Sequence, residues 1–108
     1  RPNELFHKFV ALVHEYCCSQ RDVVFYAGKL CISTKSLTSI CRSLTGHSAK
    51  KVIDDFTALE IKVLLQSTDL SIQEIADRLN FPDQSYLGRY FKRHEGVSPM
   101  EYRAELAG

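Results

Sequence analysis

Apolar residues recur along this chain at helical spacing. Leu5, Phe6, Phe9, Val10, Val13, Tyr16 and Cys17 predict an amphipathic helix from about Asn3 to Ser19. Asp22 is placed to cap a short helix carrying Val23, Tyr26, Ala27 and Leu30. In the next helix Leu37, Ile40, Cys41 and Leu44 form the apolar side. Ser48 can cap a long helix running to about Gln66, with Val52, Phe56, Leu59 and Val63 on one stripe and Ile53, Ile61 and Leu64 beside it. Ser71-Ile-Gln-Glu74 has the form of a capping box and opens another short helix. Leu87, Tyr90 and Phe91 mark the apolar side of the helix after it. Ser98-Pro-Met-Glu101, with proline at the first helical position, starts a last one. The expected fold class is all-α.

Part of this pattern occurs twice. Ala27-Gly-Lys-Leu30-Cys-Ile32 matches Ala76-Asp-Arg-Leu79-Asn-Phe81 at a spacing of 49 (27 to 76). Leu37, Cys41, Gly46 and Ser48 match Leu87, Phe91, Gly96 and Ser98 at a spacing of 50 (37 to 87). The extra residue of the second copy therefore falls in the turn, and the helical patterns on both sides stay in register. Each copy reads as a short helix, a turn and a longer helix, the helix-turn-helix arrangement used to read duplex DNA. Ala27 and Ala76 sit mid-helix, where a small side chain permits close helix packing, while Gly46 and Gly96 are placed as helix C-caps. The expected layout is a first lobe over about 3–47, a linker helix over about 48–66 and a second lobe over about 67–108. The linker would span roughly 27 Å at 1.5 Å per residue. With the body of each lobe, that suits readers about one turn of B-DNA, roughly 34 Å, apart.

The chain has 108 residues, 44% of them hydrophobic, enough for one domain or two very small lobes. Its only methionine is Met100, so a chain opening on Arg1 is expected to be a fragment. No apolar run is long enough to span a bilayer and no signal peptide opens the chain, so no membrane segment is expected. Cys17, Cys18, Cys31 and Cys41 form no C-x-x-C pair. Reduced thiols and a cytoplasmic location are the simpler account. The formal net charge is only +1. Its distribution says more: no Asp or Glu occurs from Val23 to Ile53, where Lys29, Lys35, Arg42, Lys50 and Lys51 all fall. Such a cluster is either a phosphate-binding surface or a solvated face.

On the helix after the first turn, Lys35, Thr38, Ser39 and Arg42 lie opposite the apolar positions. In the second copy the same register leaves Ser85, Gly88, Arg89 and Lys92 exposed, with Gln84 and Tyr86 near the start of the helix. Arg pairs with guanine in a bidentate way, Gln does so with adenine, and Thr methyls touch thymine. Lys35, Thr38, Ser39, Gln84, Ser85, Tyr86 and Arg89 are the candidate base readers. Thr34, Arg42, Lys50, Lys51, Ser71, Lys92 and Arg93 are the candidate phosphate contacts. Two matching faces after matching turns favour DNA contact over ordinary solvated helix surfaces.

The stretch from Asp69 to Arg103 contains Ile75-Ala76, the Asn80-Phe81 turn, Gln84-Ser85, Phe91-Lys92, Gly96-Val-Ser98-Pro99 and Tyr102-Arg103. In these features, and over its whole length, the chain resembles the DNA-binding domain of the AraC/XylS family of bacterial transcription regulators. The resemblance implies seven helices in two helix-turn-helix lobes joined by a long helix. It implies sequence-specific binding of double-stranded DNA, with the second helix of each lobe in successive major grooves and the DNA bent. It also implies an additional sensory or dimerisation domain, usually N-terminal, contact with RNA polymerase, and no cofactor. Two positions depart from the family. Cys41 stands where phenylalanine is usual, which implies looser packing in the first lobe, and Asn80 stands where glycine is common. Asn tolerates left-handed backbone angles. Thr38 and Ser39 are small, which shifts the expected contribution of the first lobe toward phosphates.

Two other functions compete. His14-x-x-Cys17-Cys18 suggests a thiol or metal site, but Cys17 falls on the apolar stripe and His14 lacks further ligands at useful spacing. The chain is therefore not expected to be an enzyme. The alternative to a DNA reader is a helix-turn-helix protein-interaction module without DNA readout of its own.

Overall fold

The computed structural model describes residues 2–107. Arg1, on which the fragment reading rests, and Gly108, the expected end of the second lobe, lie outside them. The described residues form seven helices and no strand: α1 (Pro2–Tyr16), α2 (Val23–Lys29), α3 (Thr34–Thr45), α4 (Ala49–Ser67), α5 (Ile72–Arg78), α6 (Gln84–Glu95) and α7 (Pro99–Ala107). They divide into two compact units, one ending at Phe56 and the other beginning at Thr57, so the division falls inside α4.

The helix starts are set by short side chains that supply acceptors for otherwise unpaired amides. Asp22 accepts from the Val24 amide at 2.9 Å, and Ser33 from the Ser36 amide at 3.0 Å. Ser48 accepts from the Lys51 amide at 3.1 Å, and Asp83 from the Tyr86 amide at 2.8 Å. Ser71 with Glu74, and Ser98 with Glu101, form the reciprocal bonds of a capping box. Gly46 and Gly96 end α3 and α6 at φ +79° and +83°, where a side chain would be strained.

The first unit is built on Phe9, Val13, Tyr26, Ala27, Leu37, Cys41 and Ile53, all buried. Burying a side chain the size of Phe9, Val13, Leu37 or Ile53 contributes about 1.5–3 kcal/mol. Phe9 meets the Tyr26 ring edge-on at 5.6 Å. The Tyr26 hydroxyl donates to the Gln20 carbonyl at 2.6 Å, and burial pushes its pKa up to about 12. Cys41 takes the position where the second unit has Phe91 and is fully buried; that burial raises its thiol pKa.

The second unit closes around Ile61, Ile75, Ala76, Leu79, Leu87 and Phe91. Phe91 packs edge-on against Tyr102 at 5.6 Å. Arg103 ties α7 to the end of α4 and the loop after it. Its guanidinium donates to the carbonyls of Leu65 (3.2 Å), Thr68 (3.2 Å) and Leu70 (2.7 Å). Gln66 donates to the Tyr102 hydroxyl at 2.7 Å, and Lys62 pairs with Glu95 at 2.7 Å.

Three expectations need correction. The first helix stops at Tyr16, and the Cys17–Ser19 stretch is a turn, although the Cys17 amide still bonds to the Val13 carbonyl and its side chain stays buried in the first unit's core. In α3, Leu44, in the last turn, is 44% exposed, and the buried side is carried by Leu37 and Cys41. In α4, Leu59 and Val63 are exposed, and the buried stripe is Ile53, Thr57, Ile61 and Leu65 with Ala58 and Leu64 beside it. The stripe passes through a threonine, which a reading of apolar residues alone steps over.

Candidate nucleic-acid interface

Both units contain the same turn. In the first, the Cys31 amide bonds to the Gly28 carbonyl and the Ile32 amide to the Ala27 carbonyl, each at 3.1 Å. In the second, the Asn80 amide bonds to the Asp77 carbonyl at 3.2 Å and the Phe81 amide to the Ala76 carbonyl at 2.8 Å. These are paired Schellman bonds, with the middle residue left-handed and an apolar residue after it. Cys31 has φ 57° and Asn80 has φ 60°. The second turn then takes one residue more before its N-cap: Ile32 is followed by Ser33, whereas Phe81 is followed by Pro82 and Asp83. The insertion therefore lies in the turn, and α3 and α6 keep the same facing.

On α3, Leu37 and Cys41 are buried, while Thr34, Lys35, Ser39 and Arg42 are exposed and Thr38 is half-buried. On α6, Leu87, Tyr90 and Phe91 are buried, while Gln84, Ser85, Tyr86, Arg89, Lys92 and Arg93 are exposed. At about 100° per residue the exposed set covers a continuous side of each helix. The α6 face is partly ordered from within: Phe81 lies 6.0 Å from the Tyr86 ring, and the Arg89 guanidinium sits over that ring at 5.9 Å. Gly88 is half-exposed on the same side, and a Cβ added there would meet no neighbouring atom within 4 Å. Mid-helix glycine costs about 1 kcal/mol relative to alanine.

The remaining candidates lie at helix starts. Lys50 and Lys51 are exposed in the first turn of α4, but each has a carboxylate partner one turn on: Asp54 at 3.2 Å and Asp55 at 2.8 Å. The acid-free run in the sequence thus ends just before two acids that fold back onto two of its lysines. Ser71 is exposed, with its hydroxyl oxygen already accepting from the Glu74 amide at 3.1 Å.

Reading by periodicity missed three residues. Gln73 accepts from the Gln84 amide at 3.3 Å and donates to Asp77 at 2.9 Å, joining the start of α6 to α5. Ser36 shares a surface groove with Lys35 and Ser39. Arg103 clamps the loop ahead of Ser71, and its only signal in the sequence is the Tyr102-Arg103 pair. Among the described residues, no group of three or more His, Cys, Asp or Glu is placed to hold a metal. No helix there is long and apolar enough to cross a membrane.

The family profile described as a helix-turn-helix domain matches residues 26–105. The chain is 33% identical over 86 residues to the arabinose operon regulatory protein of Salmonella typhimurium, covering 80% of this chain and 31% of that protein. It spans about a third of the length of the arabinose regulators it matches. The DNA-binding domain of AdpA, solved in complex with a target DNA, superposes with a TM-score of 0.80 at 31% identity, covering 92% of this chain and 89% of that one. The C-terminal domain of AraT, a response regulator from Geobacillus stearothermophilus, gives a TM-score of 0.84 at 27% identity, with 94% and 84% covered. With this turn, caps and facing repeated in both units, and with the profile matched across most of its length, the chain belongs to the AraC/XylS family of transcription regulators, as a two-unit helix-turn-helix domain.

Proposed function

We propose that this chain binds double-stranded DNA in a sequence-specific way, with α3 and α6 as recognition helices in successive major grooves of one site. The observation that carries the reading is the repeated turn, which leaves two polar, basic helix faces open in the same register. Likeness to a domain solved on its target DNA supports it. Base readout is assigned to Lys35, Thr38 and Ser39 on α3 and to Gln84, Ser85, Tyr86 and Arg89 on α6. Thr34, Arg42, Lys50, Lys51, Ser71, Lys92 and Arg93 are assigned to phosphates. Lys51 would exchange Asp55 for phosphate on binding at small cost, since that pair is exposed on both sides, whereas Lys50 would have to leave the buried Asp54 carboxylate, which costs more. The chain performs no chemistry of its own on this reading. It acts in the cytoplasm, within a longer regulator that carries a sensory or dimerisation domain and touches RNA polymerase.

Selection from a randomised duplex pool, followed by anisotropy titration at several salt concentrations, tests the proposal. The selected duplex should be bound far more tightly than a scrambled one, and log affinity should fall linearly with log salt. Retention of no duplex at low salt would leave a protein-interaction module in its place.

A further inference from the structure

Gly88 has no reason to be glycine that lies inside the protein. It sits within α6, where glycine weakens the helix, yet its backbone is not left-handed. A Cβ built on it meets no neighbouring heavy atom within 4 Å, so no packed partner requires the bare backbone. What lies beside it is a notch of about 240 Å³, lined by Gln84, Ser85 and Gly88 of α6, Ile72 of α5, and Pro99 and Met100 of α7. Ile72, the buried Pro99 and the exposed Met100 supply its apolar surface, and Gln84, Ser85 and the α7-capping Ser98 its polar surface. Met100 is 73% exposed there, and Gln84 and Ser85 open onto the face assigned to base readout. In the register that pairs Leu37 with Leu87, Gly88 corresponds to Thr38 of α3. One recognition helix brings its own methyl group to this position and the other leaves the space open.

We infer that Gly88 is a specificity-determining position, and that the notch beside it seats the C5-methyl group of a thymine in the major groove. Thymine is the base that offers an apolar group on its major-groove edge. With no side chain at position 88, α6 can approach that edge closely enough for Met100 and Pro99 to cover the methyl. Gln84 and Ser85 remain free to bond the polar atoms around it. This inference rests on the DNA-reading function proposed above.

The test uses this chain, the duplex selected from a random pool, and copies of that duplex with one thymine at a time replaced by uracil, which lacks only the methyl. Wild type should bind the thymine form about fourfold more tightly than the uracil form at one position, the effect of burying one methyl-sized group. Gly88→Ala puts a methyl group of the protein on the α6 surface that the thymine methyl would approach. It should weaken binding to the thymine duplex, leave the uracil duplex about as well bound as before, and bring the ratio to about one. Gly88→Thr should do the same more strongly. The melting temperature of Gly88→Ala should rise, which separates lost recognition from misfolding. Uniform wild-type affinities across the uracil series, or a thymine preference that survives in Gly88→Ala, would overturn the inference while leaving DNA binding intact. If wild type selects no duplex at all, the function itself fails, and the inference with it.

Discussion

At the scale of single residues, Arg89 carries the clearest expectation. Its guanidinium lies over the Tyr86 ring at 5.9 Å, an attraction worth about 0.5–1 kcal/mol at an exposed site. The planar group is thus held on the open face of α6 before any ligand arrives. A planar fork matches guanine N7 and O6, which a lysine ammonium cannot reproduce. Arg89→Ala should therefore cost about 1–3 kcal/mol on the selected site and flatten selectivity at one or two base pairs, with non-specific affinity falling much less. Anisotropy on the single-base variants of the site decides it, and parallel loss on all sequences would make Arg89 a phosphate contact. Cys31 carries a stability prediction. It holds a left-handed φ of 57°, a conformation that costs an ordinary L-residue about 1–2 kcal/mol. Asn80 solves the same problem in the second turn at lower cost. Cys31→Asn or Cys31→Gly should raise the urea midpoint by the equivalent of about 1 kcal/mol, with DNA binding unchanged. An unchanged or lowered midpoint would mean that the exposed Cys31 side chain contributes more than its backbone strain removes.

At the scale of elements, the capping boxes make the fold sensitive to acid. Bonds from the Ser71 amide and hydroxyl hold the Glu74 carboxyl below its ordinary pKa, and those from Ser98 do the same for Glu101. A carboxyl lowered on folding stabilises the fold above its unfolded pKa, about 4.3. That contribution is lost as the pH falls through the lower folded value. Glu74→Ala and Glu101→Ala should thus be less stable than wild type at pH 7, with the difference shrinking as the pH falls through the acid range, in urea melts followed by circular dichroism. These caps were legible because a box is a local pattern of four residues. The turns were legible because the sequence contains them twice, so that the extra residue near Pro82 declared itself by a change in spacing. The α4 stripe was not, because Thr57 and Ala58 carry it through its middle while the apolar Leu59 and Val63 face outward. Arg103 was legible only by resemblance. Its partners are backbone carbonyls 33 to 38 residues away, which no periodicity encodes. Its three directed bonds need a guanidinium, so Arg103→Lys should cost about 2 kcal/mol. Hydrogen exchange should show the loss at α5 amides, with those of α2 and α3 unaffected.

At the scale of the whole molecule, one chain holds two readers that differ in sequence, which predicts how it engages DNA. The α3 face offers Lys35, Thr38, Ser39 and Arg42, whereas α6 offers Gln84, Ser85, Tyr86 and Arg89. Two unlike readers specify two unlike half-sites, so the preferred sequence should be asymmetric and filled by one chain. The net charge of +1 supplies little attraction at a distance, so salt-dependent affinity must come from local phosphate contacts. Removing one of them, by Arg42→Ala in the first unit or Lys92→Ala in the second, should lower the salt slope by roughly one and weaken all sequences about equally. The two replacements lie in separate units, so their effects should add. Lys50→Ala and Lys51→Ala should change the slope less, since each lysine leaves a carboxylate to reach phosphate. Sedimentation of the complex should give one protein per duplex, and footprinting should show Arg42→Ala thinning one half of the protected site and Lys92→Ala the other. Two chains on a palindrome, each using a single unit, would refute the arrangement and make the second reader of each chain a surface for something other than DNA.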